Sequence, residues 1–197
     1  MMAGMLASIH DALADRETPC VLVTMAAGLT IRTIREMAIV NFPVIRIMPN
    51  TPAAIGQGVV LCCSDGVSDD QLDTFRTVMA GAGLLDFIDE HLIDAGSAVS
   101  GCGPAFVAML IEAMADGGVA CGLPRVKAQA YAAQTVLGTA ALALQTGQHP
   151  GAMKDAVCSP AGSTIQGVRA LERSGFRSAA FEAVVAAYEK TVEMGKR

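Results

Sequence analysis

The feature that most constrains the fold of this chain is a change of pattern near residue 92. Before it, short β-rich runs alternate with stretches whose apolar residues recur at helical spacing, which is typical of an α/β sheet with parallel strands. After it, the β-rich runs stop, and alanine-rich segments follow one another with short loops between them. The sequence therefore predicts an α/β domain at residues 1–91 and an all-helical domain at 92–197.

The α/β domain is predicted to contain four strands, at residues 20–25, 44–48, 59–63 and 84–89. Its predicted helices are at residues 3–15, 30–40 and 69–83. The helices predicted for the second domain are at residues 104–121, 125–145, 150–157, 163–174 and 176–195. Pro104, Pro124 and Pro150 each stand where a helix can begin, because the fixed φ angle of proline suits the first helical turn.

Composition and charge exclude several classes of partner. Of the 197 residues, 52% are hydrophobic, which is enough to build a core. Charged residues such as Glu112 and Asp116 interrupt the longest apolar stretches, so we expect no membrane helix. The beginning of the chain lacks the pattern of a secretion signal, so we expect a cytoplasmic protein. A net charge of −5 and an aromatic content of 4% argue against nucleic-acid binding.

The usual signatures of catalysis are missing. The six cysteines form no C-x-x-C pair and the three histidines lie far apart, so no metal site is predicted. No G-x-G-x-x-G motif follows a predicted strand, and no nucleophile motif accompanies the histidines. The acidic residues between positions 86 and 94 are interpreted as a solvated surface without a catalytic role.

A run of small or rigid residues, "SPAGST" at positions 159–164, directly precedes an amphipathic helix. Such a run can satisfy the free N–H groups of a helix start or turn them toward a bound anion. From these residues alone, an ordinary capped helix is the simpler interpretation.

Five stretches, in this order and over nearly the whole chain, resemble the pyrroline-5-carboxylate reductase family. They are "TMAAGLTI" (24–31), "RIMPNTPAAIGQG" (46–58), "DAGSAVSGCGPAF" (94–106), "EAMADGGVACGLPR" (112–125) and "HPGAMKDAVCSPAGSTI" (149–165). The resemblance implies an incomplete Rossmann-like domain with a mostly parallel sheet, followed by a helical domain for substrate binding and dimerisation. It also implies reduction of 1-pyrroline-5-carboxylate to L-proline, the last step of proline biosynthesis, with NADPH or NADH as cofactor.

The resemblance assigns site residues by matched position. Thr164 matches a family residue whose hydroxyl lies near the ring nitrogen of the substrate and acts in catalysis. The residues that match the substrate-binding positions are Ser159, Gly162, Ser163 and Thr164. The residues that match cofactor contacts are Ala26, Ala27, Gly28 and Asn50.

Self-association is expected, because the alanine-rich helices carry more apolar surface than one small bundle can bury. We expect a homodimer, or a larger ring of dimers, with residues 104–121 and 176–195 at the interface. Gly117 and Gly118 interrupt the first of these helices, and we expect them to permit close packing.

The chain departs from the family pattern at its beginning, where the family has a strand and a glycine-rich phosphate loop. We therefore expect impaired reductase activity from this chain. Gly147 stands where some family members place a glutamate that contacts the substrate. Two alternatives stay open: a non-catalytic helical dimerisation fragment, and a sibling imine or 3-hydroxyacid-type reductase.

Overall fold

The structure is a computed structural model that describes residues 4, 6, 20–38 and 42–195. The described residues form two compact units, one within Met1–Pro104 and Val184–Arg197, the other Ala105–Ala183. The predicted helix at 3–15 lies largely outside the described residues. The domain boundary between residues 91 and 92 stays a prediction.

A single sheet organises the first unit. Its strands are β1 (Leu22–Thr24), β2 (Val44–Pro49), β3 (Gly58–Asp65) and β4 (Gly83–Phe87), in that spatial order. The β1–β2 and β3–β4 pairs are parallel, and the β2–β3 pair is antiparallel. The prediction of a mostly parallel sheet in an α/β part is confirmed.

Helices cover both faces of this sheet. They are α1 (Ile31–Ala38), α2 (Asp69–Met79) and α3 (Ile93–Ser100). Because successive strand residues point to opposite faces, two apolar layers form. The first contains Ile31, Val44, Leu61, Cys63 and Ile93, and the second contains Ile45, Ile47, Val60, Cys62 and Phe75.

Local capping explains where two of these helices begin. Ser68 accepts a hydrogen bond from the Gln71 N–H, and the Gln71 side chain accepts one from the Ser68 N–H, so α2 starts with a capping box. Thr30 caps α1 by accepting from the Thr33 N–H at 3.1 Å. Helix α3 was not predicted, because its stretch has glycine and serine where a helix usually has stronger helix formers. A Cβ atom at Gly96 of α3 would lie 2.5 Å from Leu61 Cδ1, so glycine lets α3 pack directly on β3.

The remaining helices follow the sequence prediction closely. They are α4 (Gly103–Ala120), α5 (Arg125–Thr146), α6 (Pro150–Ala156), α7 (Ser163–Arg173) and α8 (Phe176–Gly195). Pro124 is the N-cap of α5, and Pro150 is the first residue of α6, as their backbone chemistry predicts. The prediction that helices alone follow the sheet is confirmed for the described residues.

Small side chains hold α4 against α5. Ala115 of α4 is buried with Ala128 and Ala132 of α5. A Cβ atom at Gly118 would lie 3.2 Å from Leu123 Cδ1 and 3.3 Å from the Ala128 Cβ, so the two helices meet closely there. Gly117 faces open space in the described chain, so only one of the two glycines contributes to this contact.

The stretch Glu90–Ala120 bears on the expectation that the chain has no membrane helix. Its mean hydropathy reaches 1.6 over a window of which 11% is buried, so its length and composition are sufficient for a membrane crossing. One such stretch is weak evidence, because apolar helices that pack against other protein surfaces pass the same test. Gly101 and Cys102 also divide the stretch between α3 and α4.

The two glycines of α4 provide a matched test of this packing. Gly117→Ala should raise the free energy of unfolding by up to about 1 kcal/mol, because alanine favours a helix and its methyl group enters open space. Gly118→Ala should gain clearly less, because its methyl group crowds Leu123 and Ala128. Urea unfolding of both variants measures the difference, and equal gains would contradict the close contact between α4 and α5.

Candidate functional site

The two loops predicted to contact the cofactor leave the same edge of the sheet. β1 and β2 are parallel, with Thr24 opposite Arg46, so residues 26–28 and Asn50 both follow the carboxyl ends of neighbouring strands. In α/β proteins, ligands bind in the crevice outside these ends. The structure thus places the predicted cofactor residues Ala26, Ala27, Gly28 and Asn50 along one edge of the first unit.

The loop at Ala26–Gly28 is a tight turn with little room for side chains. The Ala26 N–H donates to Thr24 Oγ1 over 3.3 Å, which folds the chain back directly after β1. Gly28 has a φ angle of 72°, which favours glycine. A Cβ atom at Gly28 would lie 3.2 Å from the Gly195 backbone, so the end of α8 also restricts this position to glycine.

Asn50 is held by its own hydrogen bonds. Its Nδ2 group donates to the Ser100 carbonyl over 2.9 Å, and its Oδ1 atom accepts from the Val59 N–H over 2.9 Å. These bonds tie the end of β2 to the end of α3 and to β3. Asn50 can therefore form a wall of a binding crevice, while its amide group is already used within the protein.

The N-terminus of α1 is occupied by a side chain of the protein itself. The Ile31 N–H donates to Glu90 Oε1 over 2.6 Å. A helix N-terminus after a strand is a common anion site, because its free N–H groups attract negative charge. Here the Glu90 carboxylate takes that place, so α1 offers this position to no ligand phosphate.

The acidic residues at positions 90 and 94 correct the sequence interpretation of a solvated surface. Glu90 Oε1 lies 3.3 Å from Arg46 Nη1, and Asp94 Oδ1 lies 3.0 Å from Arg46 Nη2. Arg46 is 2% exposed, and its Nε is a buried nitrogen without a hydrogen-bond partner among the described residues. The sequence signal that was missed is the arginine inside the apolar strand "VIRIM".

Two neighbouring cysteines of β3, Cys62 and Cys63, are buried. Burial, with smaller contributions from Cys63 and Asp86, raises the pKa of the Cys62 thiol to about 12. Burial and the charge of Glu90 raise the pKa of the Cys63 thiol to about 11, while Arg46 opposes that change. Both thiols therefore stay protonated near neutral pH.

The "SPAGST" run forms a turn and then a helix start. The Gly162 N–H donates to the Ser159 carbonyl over 3.0 Å, which closes a four-residue turn around Pro160 and Ala161. Ala161 has a φ angle of 59°, in the left-handed region where glycine is usual at this position of a turn. At Gly162, a Cβ atom would lie 2.3 Å from Ser159 Oγ, so glycine leaves the serine hydroxyl room in its present position.

The start of α7 leaves its backbone N–H groups free of side-chain caps. Gly162 is the N-cap and has no side chain to accept from them. Ser163 and Thr164 are the first two helical residues, and both are exposed, as is Ser159. The predicted substrate residues Ser159, Gly162, Ser163 and Thr164 therefore cluster around one open helix start.

The residues just before this turn have structural roles. His149 Nδ1 accepts from the Gly151 N–H over 3.1 Å and caps α6. Gly147 ends α5 with a φ angle of 63°, a conformation that disfavours a glutamate at this position. Lys154 and Asp155 form an ion pair that lowers the pKa of the aspartate and raises that of the lysine.

The predicted site residues thus fall into two groups, one in each compact unit. The cofactor group, Ala26–Gly28 and Asn50, lies in the first unit, and the substrate group, Ser159–Thr164, lies in the second. Across the residues that the structure describes, no three His, Cys, Asp or Glu side chains are grouped so that they can hold a metal ion.

The fold and these loops define a class of α/β proteins in which a Rossmann-like sheet is joined to a long helical part. The family model for pyrroline-5-carboxylate reductase dimerisation matches residues 90–194. The chain belongs to the pyrroline-5-carboxylate reductase family.

Individual relatives agree with this membership. A pyrroline-5-carboxylate reductase from Synechocystis sp. is 47% identical over 180 residues, which are 89% of this chain and 66% of that protein. Pyrroline-5-carboxylate reductase 3 from Danio rerio is 42% identical, over 90% of this chain and 62% of its own length. This chain therefore spans slightly less than two thirds of these relatives.

Solved structures show the same fold. The Plasmodium falciparum pyrroline carboxylate reductase with NADP bound has a TM-score of 0.89 and 31% identity, covering 98% of this chain and 77% of its own. The pyrroline-5-carboxylate reductase from Coxiella burnetii has a TM-score of 0.86 and 29% identity, covering 98% of this chain and 71% of its own.

The turn at Ala161 can be tested by relieving its strain. Ala161→Gly should raise the free energy of unfolding by about 0.5–1 kcal/mol, because a left-handed φ angle disfavours any side chain. The matched control is Ala152→Gly in α6. This substitution should lower the free energy of unfolding by about 1 kcal/mol, because glycine weakens a helix. Urea unfolding measures both, and a loss of stability in Ala161→Gly would contradict the strained turn.

Proposed function

We propose that this protein is a pyrroline-5-carboxylate reductase that converts 1-pyrroline-5-carboxylate to L-proline with NADPH or NADH. The carrying observation is the open helix start at Ser159–Thr164, where small and hydroxyl residues surround free N–H groups in a member of this family. Similarity to reductases over 88–90% of the chain supports the same activity. It favours an enzyme over a non-catalytic dimerisation fragment.

The substrate carboxylate is the group that the start of α7 fits. A helix N-terminus presents N–H donors and a partial positive charge to an anion. Ser159 and Ser163 add hydroxyl donors beside them, and Gly162 has no side chain to obstruct the approach. The small residues of the turn also leave space for a five-membered ring.

The reaction breaks the π bond of a cyclic imine. The reduced nicotinamide, when bound, supplies the hydride that forms the new C–H bond at the imine carbon. The ring nitrogen takes a proton and becomes a secondary amine. The Thr164 hydroxyl orients this nitrogen by hydrogen bonding and assists delivery of the proton, while the carboxylate held by α7 fixes the ring.

The cofactor is proposed to lie along the sheet edge formed by residues 26–28 and Asn50. The side chains of Ala26 and Ala27 are small, so the backbone there can approach a flat ring closely. Asn50 contributes a fixed wall, since its amide group is bonded to Ser100 and Val59. The relative from Plasmodium falciparum has NADP bound, which supports a nicotinamide dinucleotide as the cofactor class.

Self-association belongs to the same proposal. Helix α5 buries only Ala128 and Ala132 among its 22 residues, while Leu137 is 57% and Leu144 is 86% exposed. Such apolar surface on a long helix is typical of an interface. We propose that the protein is a homodimer, or a ring of dimers, and works in the cytoplasm without binding nucleic acid or a membrane.

The role of Thr164 is tested by two substitutions. Thr164→Val keeps the shape but removes the hydroxyl, so we expect kcat for imine reduction to fall by at least about tenfold. Thr164→Ser should retain most of the turnover. Calorimetry should show that proline still binds to Thr164→Val, and urea unfolding should show almost unchanged stability because the side chain is exposed. Unchanged turnover in Thr164→Val would exclude the hydroxyl from the reaction.

The interface is tested by placing charge on the helical surface. Phe181 of α8 is 67% exposed, and Phe181→Glu should reduce the mass measured by light scattering to that of a monomer. The matched control is Val78→Glu in α2, where the side chain is 76% exposed in the α/β unit and the mass should not change. A monomeric unaltered protein at micromolar concentration would refute the proposed dimer.

A further inference from the structure

An arginine lies inside an apolar layer of the sheet. Arg46 occupies the middle of β2, between Val44 and Met48, which both belong to the layer beneath α1 and α3. It is 2% exposed. An aliphatic side chain would fill this place without removing a charge from water, so the position of a guanidinium here requires an explanation.

Two carboxylates from the segment after β4 meet this guanidinium. Nη1 lies 3.3 Å from Glu90 Oε1, and Nη2 lies 3.0 Å from Asp94 Oδ1. The same Glu90 oxygen accepts from the Ile31 N–H over 2.6 Å. Arg46 is therefore linked through Glu90 to the first residue of α1, three residues after Gly28, and through Asp94 to the first turn of α3.

The other end of α3 is held by the same strand. Asn50 follows directly after β2, and its Nδ2 group donates to the Ser100 carbonyl over 2.9 Å. Arg46 and Asn50, four residues apart, thus bind the first and the last turn of α3. Any rotation or shift of α3 relative to β2 would stretch at least one of these bonds.

We propose that Arg46 is a positioning residue for the dinucleotide: through Glu90 and Asp94 it fixes loop 26–28 and Asn50 relative to each other. The inference rests on the proposed function, because it assigns the cofactor to that edge of the sheet. The planar guanidinium presents two N–H groups in a fixed fork, so it holds two carboxylates at once. A reactive ring must be placed to within about 1 Å, which gives such bonds a role beyond stability.

Five variants separate positioning from general stability. Arg46→Met removes both ion pairs at similar volume, and Arg46→Lys keeps the charge without the fork. Glu90→Ala removes the acceptor for Ile31 and Arg46, whereas Glu90→Gln keeps a side-chain oxygen that can accept from both. Arg32→Met is the matched control, because its ion pair with Glu36 is exposed.

The first measurement is hydrogen exchange of the backbone amides, which needs no bound ligand. Arg46→Met should speed exchange in residues 26–34 and 93–100 together, and leave α2 protected. Glu90→Ala should speed exchange mainly in residues 26–34. Exchange in Glu90→Gln should be as slow there as in the unaltered protein. Exchange that rises throughout the sheet unit, or that stays unchanged in both segments, would overturn the proposal.

The second measurement titrates NADPH by its fluorescence and proline by calorimetry. Arg46→Met and Glu90→Ala should raise the Kd for NADPH at least about fivefold while changing the Kd for proline less than about twofold. The Kd of Arg46→Lys for NADPH should lie between the values for those two variants and the value for the unaltered protein. The Kd of Arg32→Met should equal that of the unaltered protein. An unchanged Kd for NADPH, or equal losses for both ligands, would overturn the proposal.

Failure of the proposed function gives a different result. If the unaltered protein binds neither NADPH nor NADH, the proposed cofactor is wrong, and with it the purpose assigned to Arg46. Proline binding without dinucleotide binding would restrict the error to the cofactor. The exchange measurement still decides whether Arg46 links the two segments, because that readout depends on neither ligand.

Discussion

The buried guanidinium of Arg46 is the interaction on which the sheet unit depends. The layer around it is apolar, so the charge can remain only where carboxylates reach it. Glu90 and Asp94 meet this requirement, and in doing so they join the first turn of α3 to β2 and place an acceptor at the Ile31 N–H of α1. Removing one carboxylate would leave the buried guanidinium with a single ionic partner, whereas aliphatic residues in place of the whole cluster would lose the directional contacts. The cluster therefore specifies an arrangement of helices and loops that apolar packing alone would leave less defined.

The helical unit is held together by small apolar side chains, in contrast to the buried ion pairs of the sheet unit. The contact between α4 and α5 uses alanine and Gly118, which allow close approach but bury little area per residue. Larger apolar side chains such as Leu144 point away from that contact and remain exposed in the single chain. A unit built in this way gains most of its hydrophobic stabilisation only when another surface covers it. Match to a dimerisation family over residues 90–194 agrees with this reasoning.

The sequence predicted the strands and helices well because their signals are local. Apolar periodicity defined the strands, and proline residues marked the starts of α5 and α6. Helix α3 was missed because Gly96 and two serines weaken its helix propensity, and the contacts that compensate, such as the close approach of Gly96 to Leu61, come from distant parts of the chain. The ion pairs of Arg46 were missed for a related reason. Glu90 and Asp94 lie 44 and 48 positions further along the chain than Arg46, and no local sequence pattern indicates contacts over such a separation. The predicted site residues came from the family resemblance, because the local sequence pattern around them did not define a role.

The starts of α1 and α7 differ in whether a carboxylate of the protein already accepts from a backbone N–H group there. Helices α1 and α7 both follow loops of small residues, and both begin with N–H groups that attract an anion. At α1 the Glu90 carboxylate supplies that anion from within the protein, over 2.6 Å. At α7 the N-cap is Gly162, and no side chain caps the helix. A carboxylate from a ligand therefore has a place at α7 that it lacks at the Ile31 N–H of α1. This difference supports the proposal that the substrate acid binds at Ser159–Thr164 and that the dinucleotide phosphates lie away from the start of α1.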